Sequence, residues 1–183
     1  MRGSGGPYMT DIRDRVEEDR GLLKTIQTFV PGFRGYRLKE DLRDSDRMLR
    51  AQLARLIGLQ RRGLEDCRPL IQDLTSPQLE ALGGIISRFK KVEGLVAHAE
   101  TGYSGIAADV QVKEVELNRL YEYDTSMIDM IGMLGQNVEV LKRDLRSNDS
   151  AQANVDLDTL RQGINDFQDR FERRMQVITN TEV

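Results

Sequence analysis

The chain of 183 residues has no tryptophan, one cysteine, one histidine and four prolines, and only 5% of its residues are aromatic. Each scarcity removes a class of structure. So few aromatics and prolines leave little from which to build the turn-punctuated strands of a β-sandwich or barrel. Cys67 alone allows neither an internal disulfide nor a thiolate metal cage, and in a helical pattern it reads as a small buried hydrophobe. His98 has no glutamate three residues before it, so the paired Glu-x-x-His ligands of a di-iron bundle are missing. His98 instead falls near a helix end, where a cation suits the dipole. No phosphate loop, dinucleotide fingerprint or zinc spacing occurs. No apolar run approaches the roughly 18–20 residues that cross a bilayer. The Gly-rich start, Met1 to Tyr8, lacks the apolar stretch of a signal peptide, so a cytoplasmic protein is expected. With a formal net charge of −3 there is no basic surplus to point to nucleic acid, which is not expected as a partner.

What the sequence does have is helical periodicity. Hydrophobic residues make up 39% and charged residues 31%, the mixture of amphipathic helices with wet outer faces. The clearest stripe is Leu117, Leu120, Asp124, Met127, Ile131, Leu134, Val138, Leu141 and Leu145, a 3-4 spacing held for about four heptads. The pattern predicts five helices. The first opens at Thr10 and is ended by Pro31-Gly32; the second runs from about Leu38 to Leu74, weakened by Gly58, Gly63 and Pro69. The third restarts at Ser76-Pro77 and runs to about Thr101. The fourth begins around 112 to 114 and stops before Ser147-Asn148-Asp149-Ser150, and the fifth starts near Asp156. The expected fold is all-α, an up-and-down antiparallel bundle of about five helices with coiled-coil-like packing. Residues 1–9 are expected to be a disordered extension and residues 10–183 a single domain.

Asp124 breaks its own stripe, where a leucine or isoleucine belongs. A carboxylate there must be paired, hydrogen-bonded or protonated, because an isolated buried charge is too costly to keep. Counting about 15–18 Å in from the helix start brings Asp46, Arg88, Lys91 and Arg170 to a similar depth. A polar core layer of Asp46, Asp124 and Arg88 follows as an expectation. Its plainer reading is an ion pair that fixes helix register. The alternative is a small-ligand or metal-binding layer, or an acid/base pair.

Up-and-down topology brings residues 31–36 and 102–105 to one end of the bundle. Phe33, Arg34, Tyr36, Arg37 and Tyr103 can then form one cluster of the residue types that anchor interfaces, or the aromatics can simply plug the open end. Met130, Met133 and Ile128 add a second apolar surface to the fourth helix, suited to a partner or to self-association. The mixed-sign run from Asp169 to Arg174 reads as a solvated face.

The stretches FVPGFRGYRLKEDLRDSDRMLR (Phe29 to Arg50) and TGYSGIAADVQVKEVELNRLYEYD (Thr101 to Asp124) resemble segments of a prokaryotic family of small helical-bundle proteins. That family carries a PG[FY]RGY loop and a GYSG…RLYEYD segment and has no assigned activity. The resemblance implies a helical protein of a bacterial or archaeal cytoplasm and supplies no catalytic residues. The resulting expectation is a non-enzymatic scaffold or adaptor that binds a protein partner or itself, with no catalytic set, cofactor or metal.

Overall fold

A computed structural model describes residues 20–36, 39–99 and 114–179. Among them there is no strand, and the chain forms an all-α bundle. The helices are α1 over residues 20–29, α2 Lys39–Glu65, α3 Pro77–His98, α4 Glu114–Arg146 and α5 Ser150–Thr179. The expected extension at 1–9, the start of the first helix at Thr10, and the 102–105 turn lie outside the described residues.

Helix ends follow local chemistry. Ser76 caps α3 by accepting a hydrogen bond from the Gln78 amide at 3.1 Å, with Pro77 in the first turn where no N–H is needed. Asn148 (φ 57°) ends α4 in a left-handed residue, with Asp149 N–H donating to Asp144 O at 3.0 Å and Asn148 N–H to Leu145 O at 3.2 Å. Two boundaries differ from the sequence expectation. α2 stops at Glu65 rather than near Leu74, because Pro69 cannot continue the ladder and residues Arg68–Leu70 close into a 3-10 turn. α5 starts at Ser150 rather than near Asp156, because the Asp149 carboxylate accepts from the Gln152 amide at 3.1 Å and caps it earlier.

Contacts between helices give their directions. Arg50 of α2 reaches Ala99 while Arg61 reaches Glu93, so α2 and α3 are antiparallel. Leu134 lies against Gly163 and Asp124 against Arg174, so α4 and α5 are antiparallel too. The two hairpins pack side by side with α2 parallel to α4 (Gln60 on Gly135, Val138 on Gly63) and α3 parallel to α5 (Gln78 on Ser150, Arg88 on Asn165). α2 and α5 therefore face each other across the diagonal. The core between them is aliphatic and phenylalanine-rich, with Leu49, Leu53, Ile57, Phe89, Phe167 and Phe171 all buried. Each such side chain contributes about 1.5–3 kcal/mol by leaving water.

The link from α1 to α2 folds inward at one end of the bundle. Pro31-Gly32 form the corners of a type II turn, with Gly32 at φ 88° and Phe33 N–H donating to Val30 O at 3.1 Å. Gly35 then takes φ 94° with the Tyr121 hydroxyl 2.8 Å from where a Cβ would stand. No other residue fits both constraints. Gly35→Ala is expected to destabilise the protein by about 1–3 kcal/mol in urea denaturation. Gly94→Ala, on a helix with nothing within 4 Å of the added methyl, is expected to stabilise it by about 0.5–1 kcal/mol. Equal effects at the two positions would contradict this loop geometry.

Candidate functional site

The inward fold of residues 30–36 carries Tyr36 into the bundle. Phe33 meets its ring edge-on at 5.1 Å and Tyr121 stacks on it at 5.4 Å. The Tyr36 backbone N–H donates to the Tyr121 hydroxyl at 3.2 Å, and Ser45 Oγ donates to Gly35 O at 3.1 Å, which fixes the loop to α4 and α2. The Tyr36 phenol donates to Asp124 Oδ2. From α5, Arg174 donates through Nε to Asp124 Oδ1 at 2.5 Å, through Nη1 to Asp46 Oδ1 at 2.5 Å, and through Nη2 to the Tyr36 hydroxyl at 2.9 Å. Arg50 Nε donates to the other Asp46 oxygen at 2.8 Å, and Arg50 Nη1 reaches the terminal carbonyls of α3, Ala99 O at 3.1 Å and Val96 O at 3.4 Å. Asp46, Asp124, Arg174 and Tyr36 are each 0% exposed.

This network joins α2, α3, α4, α5 and the α1–α2 loop, and Arg174 bridges the diagonal of the bundle. Two arginines face two aspartates, so the layer is neutral when both carboxylates are ionised. Burial alone would pull the Arg174 guanidinium down, but the charges of Asp124 and Asp46 and the hydrogen bond to Asp124 outweigh it and hold Arg174 well above its ordinary value. Burial, reinforced by the Asp124 charge and opposed by that of Arg174, raises the Tyr36 phenol well above 10.0. The Asp124 carboxyl is also pushed up by burial, against the opposing charge of Arg174 and the hydrogen bonds from Arg174 and Tyr36. All four carboxylate oxygens already accept from Arg or Tyr donors. That arrangement suits a register lock rather than a ligand cradle. Among the described residues, no three His, Cys, Asp or Glu side chains are grouped to hold a metal ion.

The structure thus brings together Asp46 and Asp124, with a cation other than the one expected. Arg88 lies on the α3–α5 seam instead, where its Nε donates to Asn165 Oδ1 at 2.7 Å. Arg88 misses the layer by depth: its partner Asn165 lies nine residues before Arg174 on α5, about 13 Å along the axis, and the layer meets α3 only at its last carbonyls, Val96 O and Ala99 O. Arg170 stacks over the Tyr123 ring at 5.5 Å. Arg174, read as part of a solvated run, is the buried partner. Its signal was its spacing, since Leu160, Ile164, Phe167, Phe171 and Ile178 leave position 174 on the inner seam. Of the expected loop-end cluster, Phe33 and Tyr36 are buried plugs, Arg34 is exposed, and Arg37 and Tyr103 lie outside the described residues. Cys67, buried at the far end of α2 from His98, has its thiol pushed up to about 11 by burial. No Cys–His pair forms.

The surface offers a different feature. Between α4 and α5 runs a groove of about 630 Å³, with Leu134 and Gly163 on its floor and Met130, Met133 and Val155 along it. Met133 is 55% and Val155 56% exposed. The charged groups lining it are Asp158 and Asp166, and of its lining only Met130 and Met133 stand out in the sequence. Compared with protein-family models, curated proteins and solved structures, the chain matches none.

Raised in the folded state, the Tyr36 phenol contributes stability that is full below pH 10.0 and lost as pH rises toward its folded value. Tyr36→Phe leaves Asp124 short of a donor and is expected to cost about 1–3 kcal/mol at pH 7. Above pH 10 the gap between wild type and Tyr36→Phe should narrow by up to about 1.4 kcal/mol per pH unit, measured by urea denaturation from pH 7 to 11. A gap that stays constant would place the hydroxyl in water.

Proposed function

We propose that this protein is a non-enzymatic adaptor, a helical bundle that receives a helical segment of another protein in the α4–α5 groove. The observation that carries this reading is the pairing of Met133 and Val155, large apolar side chains left more than half exposed on facing helices over a preformed apolar floor. Isolated exposed hydrophobes are ordinary, but a contiguous apolar groove with polar edges suits recognition of a partner. Methionine-rich walls adapt to the partner's side chains, and a groove between two helices suits an amphipathic third.

The chemistry inside the bundle supports the same division of labour. Its polar layer is closed to water and saturated with internal donors, and Cys67 and His98 stand at opposite ends. At the loop end Phe33 and Tyr36 are buried within the bundle, which favours the outer face of α4 as the binding surface. Among the described residues no helix is long and apolar enough to cross a membrane.

The test is a titration of isotope-labelled protein with a synthetic amphipathic helix of about 14 residues, bearing leucines at helical spacing and a neutral polar face. Amide shifts concentrated at residues 130–137 and 155–166 are expected, and their loss in Met133→Glu. That substitution, on an exposed position, should change stability by no more than about 0.5 kcal/mol. Shifts centred on Arg34 and the loop end, or no shifts at all, would overturn the groove assignment.

A further inference from the structure

The groove also carries a charge signature. Asp158 and Asp166 stand two turns apart on α5 along it, and among the described residues no cation lines it. Both aspartates are exposed. Asp158 pairs with Arg161 at 2.7 Å, a contact between side chains that are 71% and 51% exposed and easily exchanged for another cation. Asp166 accepts from a neutral donor on its own helix, Gln162 Nε2 at 2.6 Å. The apolar strip is therefore edged with negative charge along α5.

Resting on the groove reading above, we propose that the occupant is an amphipathic helix of a partner protein whose apolar stripe is flanked by lysine or arginine. The span from Val155 to Asp166 is about 16 Å at 1.5 Å per residue, which accommodates two to three turns and apolar anchors at i, i+3 or i+4, and i+7. Lysines beside the first and last anchors, eight residues or about 12 Å apart, then fall opposite Asp158 and Asp166. A second copy of this chain fits less well, because a two-fold pairing brings acidic edges against each other. A groove about 16 Å by one helix diameter of about 10 Å is also far smaller than the roughly 800 Å² per partner of a standard stable interface.

Three synthetic peptides of about 14 residues, sharing the same leucine anchors and differing only in flanking Lys, Gln or Glu, test this by calorimetry at low and physiological salt. The Lys-flanked peptide is expected to bind about three- to tenfold more tightly than the Gln-flanked one at low salt, and the Glu-flanked one more weakly than either. The preference should shrink as salt rises. In Asp158→Lys/Asp166→Lys, both surface changes, the order should reverse, with thermal melting confirming an intact fold. Equal binding of all three peptides, abolished by Met133→Glu, would overturn the charge assignment and leave the groove reading standing. Failure of every peptide to bind would remove both. A dimer seen by sedimentation and lost in Met133→Glu would overturn the proposal in favour of a second copy.

Discussion

A guanidinium with no exposed surface is the constraint around which this bundle is arranged. Burying an unpaired charge in an apolar core costs far more than a small domain's whole stability, so Arg174 must be met by anions wherever the fold puts it. Asp124 meets it from α4 and Asp46 from α2, and Tyr36 adds a hydroxyl from the loop. These partners come from three segments that no hydrophobic stripe would by itself hold in one relative register. Hydrophobic packing supplies most of the stability here, and the ion network selects which of several similar packings is occupied.

That constraint reaches outward. Because Tyr36 must arrive beside Asp124, the loop before α2 turns inward through two glycines with positive φ instead of standing out from the bundle. Because Arg50 also reaches the carbonyls ending α3, the α2–α3 hairpin is closed at the same end, and Arg174 ties the α4–α5 hairpin to it through Asp46. Among the described residues, the polar groups of this layer are buried and paired. The opposite is true halfway along α4 and α5, where Gly163 lets Leu134 approach to 2.9 Å of its absent Cβ and leaves the flanking Met133 and Val155 without cover. A tied layer at one end and an uncovered apolar strip on the side support the proposed adaptor reading.

Much of this was legible in the sequence. Periodicity carries helix type and count because a 3-4 stripe has no other cheap way to hide, and Asp124 and Asp46 stand out as carboxylates on such stripes. Arg174 sits in the same kind of position on α5, but its neighbours Asp169, Arg170, Glu172 and Arg173 make the stretch look wet, and Met175 offers itself as the apolar residue of that turn. Arg88 illustrates the complementary error. Counting in from helix ends assumes that the helices begin level, whereas α3 ends at the level of the Arg50–Asp46 pair, so Arg88 stands about 13 Å along the axis from Arg174. The early end of α2 and early start of α5 were written in Pro69 and Asp149, short-range signals that a long apolar pattern overrides by eye. The α4–α5 groove was only half visible, since Met130 and Met133 lie on one helix while Val155, Asp158 and Asp166 come from another.

The most direct measurement is the unfolding free energy of Arg174→Met at neutral pH. The substituted side chain has similar length and no charge, so packing changes little while Asp46 and Asp124 lose their shared cation. A loss of about 3–5 kcal/mol is expected, the cost of leaving buried carboxylates without a counter-charge. A change of less than about 1 kcal/mol, the scale of an exposed ion pair, would show that Arg174 lies in water and that the bundle is held together by something else.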